Sequence, residues 1–308
     1  MKIAFLGSSS QIAKGLLKEF CLEDIHYFYL FTRDTDSFND WIESSKINLK
    51  NIKLESFNNF NPSLELDLIV NFVGIGDPAK ALKIGSKIFD ITYEYDQLAL
   101  DYLTFHPNTK YIFISSGVVY GDIFKKPASI NSSSIIHIND LKHTDWYSLS
   151  KIYAESRHRA LNKFSIMDIR VFNYVSSDID MSSRFLITDA LRSIKENQIM
   201  KTDNHNIIRD YIGPKDLHQL IMRLIHNKFL NVSVDCFTKD PVDKFSILEL
   251  MKDQFGLKYE ILESNSGVDA YGPRDNYFSV NYKATSFGYK PLFTSLENIA
   301  RVSEELLR

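Results

Sequence analysis

Cysteine is nearly absent from this chain of 308 residues: Cys21 and Cys236 are the only two, far apart and outside any CxxC or metal-ligand spacing. That leaves no disulfide framework to read, and both thiols are expected to be buried and reduced. Long apolar runs are missing as well, and none approaches the length of a membrane span. The amino terminus, MKIAFLGSSS, has no basic leader and only a short apolar stretch. It reads as a first β-strand, and the chain as cytoplasmic. An excess of charge is the third absence. With 36 Lys and Arg against 39 Asp and Glu, the formal charge is −3, too small to favour nucleic acid or an anionic membrane as a partner. What remains is an ordinary apolar fraction of 44% on a chain long enough for one large α/β unit with a sizeable core.

Apolar runs and helical spacings alternate along the first half. Lys2 to Leu6, Ile25 to Phe31, Ile52 to Leu54, Leu66 to Phe72, Tyr111 to Ser115 and Ile166 to Phe172 read as strands. Gln11 to Phe20, Gly85 to Leu103 and Ser148 to Phe164 read as helices between them. Near-continuous apolar strands separated by helices predict a parallel sheet covered on both faces, a doubly wound α/β fold of Rossmann type. Ligands of such sheets sit at the carboxyl ends of the strands. After Tyr174 the alternation degrades. A helix from Ser182 to Glu196 and a last helix opened by Thr294 and Glu297 at capping-box spacing flank segments broken by Pro241, Gly272, Pro273 and Pro291. The expected division is a dinucleotide-binding part at 1–175, with 207–235 returning to it, and a smaller substrate-binding lobe at 176–206 and 236–308.

Three places carry candidate chemistry. In Gly7-Ser8-Ser9-Ser10-Gln11-Ile12-Ala13 the strand-to-helix turn keeps one glycine, with Ser10 and Ala13 at the other two small positions that a dinucleotide turn requires. The helix that follows would still offer N–H groups to a phosphate. At the end of the second strand, Arg33 precedes Asp34. An arginine there pairs with a ribose 2′-phosphate and a carboxylate accepts from a 2′-hydroxyl, so the order favours NADP and leaves NAD open. Finally, Tyr147 and Lys151 stand four apart and share one helix face. An ammonium beside a phenol favours the phenolate and makes it a usable acid and base. Upstream, Ser115 and Ser116 end an apolar strand, where a hydroxyl can hydrogen-bond a reacting oxygen.

These segments, in this order, resemble the extended short-chain dehydrogenase/reductase family of sugar-nucleotide epimerases, dehydratases and reductases. GSSSQIA at 7 to 13 is similar to the family's glycine turn, and DLIVNFVG at 67 to 74 to its fourth-strand motif. SSGVVYG at 115 to 121 and YSLSK at 147 to 151 resemble its catalytic segments. RVFNYV at 170 to 175, RDYIGPKDL at 209 to 217 and KATSFGYKP near the end resemble later motifs. The resemblance implies Ser116, Tyr147 and Lys151 as catalytic residues. It implies Gly7, Ser10, Gln11, Ile12, Phe72 and Val73, with Tyr147 and Lys151, around the cofactor. It implies Ser116, Asn173, Arg209 and Arg274 around a nucleotide-linked sugar, the arginines gripping its diphosphate. It also implies a homodimer formed through two helices per subunit, one of them carrying Tyr147.

Departures narrow the expectation. Dehydratases of the family carry an Asp-Glu pair where this chain has Gly117 and Val118, so 4,6-dehydration is not expected. The cysteine usual in the reductase-epimerase that makes GDP-fucose is missing, and Asp90-Ile91-Thr92-Tyr93-Glu94 departs from the family's helix motif. The leading expectation is reduction of a nucleotide-linked 4-keto sugar. A 4-epimerase with the same residues is the alternative, and a cofactor-binding regulator without activity is a third reading.

Overall fold

The computed structural model describes residues 1–23, 25–45, 47, 49–76, 78–262 and 274–308; the turn signals at Gly272 and Pro273 lie outside them. All six expected strands form: β1 (Lys2–Leu6), β2 (Tyr27–Thr32), β3 (Ile52–Ser56), β4 (Leu68–Asn71), β5 (Lys110–Ser116) and β6 (Ile166–Val171). A seventh, Val232–Asp235, was not expected and joins the edge at β6. The order across the sheet is Val232–Asp235, β6, β5, β4, β1, β2, β3, and every neighbouring pair is parallel. Parallel neighbours require crossovers, and helices supply them on both faces.

The helices are α1 (Gln11–Phe20), α2 (Thr35–Ser44), α3 (Pro78–Ile84), α4 (Lys87–Phe105), α5 (Trp146–Ala160), α6 (Leu186–Lys195), α7 (Pro214–Ile225), α8 (Lys244–Phe255) and α9 (Ser295–Leu307). Strand alternation splits the core in two. Ile3 and Phe5 of β1 pack with Leu16 and Phe20 of α1 and Leu220 and Leu224 of α7. Ala4 and Leu6 face the other way, onto Ala99 and Leu103 of α4 and Ala154 of α5. Cys236 is buried, as expected, and Cys21 only partly so.

Several boundaries differ from expectation for local reasons. The helix expected from Ser182 starts at Leu186, because Ser182 and Ser183 are held in a turn on Asp180, whose carboxylate accepts the Ser182 N–H at 2.9 Å. The helix expected from Gly85 forms as α4 and starts at Lys87; Gly85, with a φ of +64°, separates it from α3, which ends at Ile84. The predicted capping box at α9 forms: Thr294 Oγ1 accepts the Glu297 N–H at 3.2 Å, and Glu297 accepts the Thr294 N–H at 2.8 Å.

A third hydrophobic cluster gathers Val175, Leu191 of α6, Leu248 and Met251 of α8 and Ile299 of α9. From this region the chain returns to the sheet. Asn276–Tyr277 pairs in parallel with Ile208–Arg209, which pairs on its other side with Val242–Asp243. Beyond it, Ala128 donates to the Phe278 carbonyl at 2.9 Å and accepts from the Val280 N–H at 2.7 Å. Tyr277 is thereby carried to the end of β5. Among the described residues no helix is long and apolar enough to cross a membrane.

Candidate active site

β1 and β4 are adjacent, and the chain winds away from them in opposite directions. A sheet of this kind opens its ligand crevice at that switch point. Gly7 lies there with a φ of +82°, and a Cβ on it would come within 3.0 Å of Val73 Cγ2 and 3.2 Å of Val73 N. Only glycine satisfies both the backbone angle and the approach. The Gly7 and Ser8 amides donate to the Phe31 carbonyl at 3.0 Å each. Ser10 caps α1, its Oγ accepting from Ala13 N at 3.2 Å. Gln11 opens the helix, and Ile12 packs partly buried against the core. Ala13 is fully buried in the core, and two residues on a Cβ on Gly15 would collide with the Tyr174 hydroxyl.

At the end of β2, Arg33 is exposed and forms no hydrogen bond or ion pair among the described residues. Asp34 is the N-cap of α2, accepting from Ser37 N at 3.0 Å. Phe72 continues β4, donating to Leu6 O at 2.8 Å and setting its ring 4.8 Å from that of Phe5. Val73 N donates to the Asn71 side chain at 2.9 Å. The next residue, Gly74, abuts Lys151, since a Cβ there would stand 3.1 Å from Nζ. The fourth-strand end and the Tyr–Lys helix therefore meet.

Lys151 is 2% exposed. Its ammonium donates to the Ile114 carbonyl at 3.0 Å and lies 4.1 Å from the Phe113 ring centre. Burial lowers its pKa to about 8, against the pull of Asp96, Glu155 and Asp168. Tyr147, one turn earlier on the same face of α5, packs partly buried against a cluster holding Val118, Val119, Phe172 and Tyr277. Ser116, in register with Val171 of β6, is buried and caps the short turn Gly117–Tyr120, accepting from Val118 N at 3.4 Å. Ser148 ties α5 to that turn through the Val118 carbonyl at 2.7 Å. Ser115 faces away, donating to Glu155 at 2.6 Å. At Gly117 any Cβ would strike the Phe172 ring, so this backbone leaves no room for an aspartate at the position where dehydratases have one.

Behind Lys151 lies a buried ionic layer that the sequence does not announce. His158, fully buried, places Nδ1 at 2.6 Å from Asp168 and Nε2 at 2.8 Å from Asp96. Arg157 pairs with Asp96 at 3.0 Å and Arg159 with Asp168 at 2.9 Å. Tyr111 donates to Asp96 at 2.8 Å and accepts from Asn71 at 3.0 Å, which links the layer to the Val73 amide. Burial alone would lower the His158 pKa, but the Asp168 and Asp96 carboxylates outweigh it and raise it to about 9.

On the substrate side, Asn173 lies two residues beyond the partner of Ser116 and donates to the Asp210 carbonyl at 3.2 Å. Arg209 and Arg274 come together: Arg209 donates to the Arg274 carbonyl at 2.5 Å, and the two guanidinium carbons stand 5.9 and 5.3 Å from the Tyr277 ring centre. Tyr277 itself, absent from the expected set, brings its hydroxyl to 3.3 Å from Ser116 Oγ. Nothing local flags it, because 161 positions separate the two residues. Residues 176–180 form a strap over the first three helices. Gln11 reaches Ser176 at 3.4 Å, Lys18 and Trp41 both reach Asp178 at 2.8 Å, and Lys80 reaches Asp180 at 2.8 Å.

Fold and site together define a Rossmann-type α/β enzyme. The model of the NAD dependent epimerase/dehydratase family matches residues 3–233, and the chain belongs to that family. No curated protein matches it by sequence. Among solved structures it is similar to a UDP-glucose-4-epimerase from Stenotrophomonas maltophila with bound NAD and formylated UDP-arabinopyranose, at 14% identity and a TM-score of 0.83, covering 100% of this chain and 98% of that one. A UDP-glucose 4-epimerase from Bifidobacterium longum in complex with NAD+ and UDP gives 17% and 0.78, covering 99% and 98%. A dTDP-glucose 4,6-dehydratase from Bacillus anthracis in complex with NAD gives 16% and 0.75, covering 99% and 96%. At these identities the likeness is one of fold.

Proposed function

We propose that this enzyme is a nucleotide-sugar 4-epimerase that keeps its NAD through the catalytic cycle. The residues present fit a nicotinamide dinucleotide: a turn at the switch point where position 7 admits only glycine, and a buried ammonium 3.1 Å from where a Cβ on Gly74 would stand. Gly7, Ser10, Gln11 and Ile12 would hold the pyrophosphate, Phe72 and Val73 would line the cofactor, and Lys151 has N–H donors for a ribose hydroxyl. When bound, the cofactor supplies hydride transfer at the sugar carbon. Tyr147 takes the proton from the sugar hydroxyl and returns it, Lys151 favours its phenolate, and Ser116 hydrogen-bonds the same oxygen. Asn173 and the paired Arg209 and Arg274 would bind the nucleotide diphosphate, with residues 176–206 and 236–308 forming the substrate lobe.

The observation that carries epimerase over reductase is the strap. A reductase must exchange its cofactor at every turnover, whereas 176–180 is fastened by Asp178 and Asp180 to three helices around the dinucleotide turn. The bound NAD of the structural neighbours supports the same reading. Arg33 favours the other one: exposed at the β2 end while Asp34 is engaged as a helix cap, it suits a 2′-phosphate, and NADP suits a reductase.

Denaturing the purified enzyme and chromatographing the released nucleotides separates the two. Near-stoichiometric NAD is expected, together with conversion of at least one of UDP-glucose, UDP-N-acetylglucosamine or UDP-glucuronic acid to its 4-epimer. An empty site, with NADPH consumed on a nucleotide-linked 4-keto sugar, would establish the reductase instead.

A further inference from the structure

We propose that Tyr277 is a positioning residue that aims the Ser116 hydroxyl at the sugar oxygen; this rests on the function proposed above. A serine hydroxyl has one proton to give and two lone pairs to receive. The Val118 N–H donates to Ser116 Oγ at 3.4 Å, and the Tyr277 hydroxyl stands 3.3 Å from the same atom. With Tyr277 donating, both lone pairs are occupied, and the serine proton is left for the reacting oxygen. With Tyr277 accepting, the serine proton would be turned away from the substrate. Tyr277 has a proton to give: it is buried, and burial raises its pKa despite nearby Arg274.

The surroundings fix that phenol. Its ring packs 4.7 Å from Phe124 and 5.2 Å from Phe172, and its backbone is held in the ribbon beside Arg209. Phe172 is the ring that excludes a side chain at Gly117, so one aromatic cluster shapes the serine turn and carries the hydroxyl that orients the serine. The same ribbon brings Arg274, a candidate diphosphate ligand, to within 5.3 Å of the Tyr277 ring centre. Seating of the diphosphate and orientation of Ser116 therefore share one piece of backbone.

The test is a double-mutant cycle of Tyr277→Phe and Ser116→Ala, assayed on the member of the UDP-sugar panel that the wild-type enzyme converts. Phenylalanine keeps the ring packing and removes only the hydroxyl. Tyr277→Phe is expected to lower kcat about tenfold, the size of one hydrogen bond acting on the transition state, with KM within about twofold and the melting temperature unchanged. In the Ser116→Ala background it should lower kcat no further.

An equal second loss in that background, a rise in KM with kcat intact, or an unchanged kcat overturns the inference. Ser116→Ala without effect, or no panel member converted, removes the function reading and this one with it. Collapse with Ser116→Ala but not with Tyr277→Phe removes this one alone. If Tyr277→Phe lowers stability, Tyr277→Leu, which lacks both ring and hydroxyl, provides the control. An equal kcat loss in Tyr277→Phe and Tyr277→Leu despite different melting temperatures supports the hydroxyl, and a loss that follows melting temperature overturns it.

Discussion

Replacing Tyr147 by phenylalanine is expected to lower kcat by about 10²- to 10⁴-fold, the contribution of one well-placed acid and base, and to leave the melting temperature nearly unchanged. The phenol is the candidate proton carrier, whereas its ring contributes packing that phenylalanine retains. Lys151 makes the proton transfer pH-dependent. Its ammonium is buried between Gly74, the Ile114 carbonyl and the Phe113 ring, and burial lowers its pKa to about 8. As pH rises through 8 the positive charge is lost, and with it the support for a Tyr147 phenolate. The profile of kcat/KM should therefore fall on its alkaline side with an apparent pKa near 8. Full activity in the Tyr147→Phe variant would remove the proton-carrier role, and a profile flat to pH 10 would remove the role of Lys151.

The second large effect is structural. His158→Ala should destabilise the protein by about 3–5 kcal/mol, because it removes the cation held between the buried Asp96 and Asp168 carboxyls. A melting temperature lower by on the order of 10 °C follows; a fall of a degree or two would show that the arginines alone hold the layer. The pH dependence has a definite sign. The folded pKa of His158, about 9, lies above its ordinary 6.5. Its stabilising contribution is complete below about pH 6.5 and disappears as pH rises through 9. Wild-type stability should decline over that interval, and the variant should lack that part of the decline.

How much of this was legible depends on where each residue's partners lie. β1, β4 and β5 are visible as unbroken apolar runs because helices cover both of their faces. Val232–Asp235 is not: four residues, of which Ser233 and Asp235 are polar, carry no such run. Helix α2 hides behind a polar sequence whose only buried side chains are Phe38 and Ile42. Ser116, Tyr147 and Lys151 are legible because serine turn and Tyr–Lys helix are each local patterns, and the structure places them around the β5 end. Arg33 and Asp34 read as rival cofactor ligands because helix capping by Asp34 is not visible in a dipeptide. His158 with Asp96 and Asp168, like Tyr277 with Ser116, are partnerships across the fold. Their members look unremarkable until the sheet places them together.

The separation of Ser116 and Tyr277 also orders events in time. A sheet made wholly of parallel strands already folds through distant pairings, and this pair, 161 positions apart, closes only after the segment at 276–277 has threaded beside Ile208–Arg209. On that order, β1 to β6 are expected to form before Tyr277 reaches the serine. In refolding from denaturant, the far-ultraviolet dichroism should return before turnover does; simultaneous recovery would show that the ribbon docks together with the sheet.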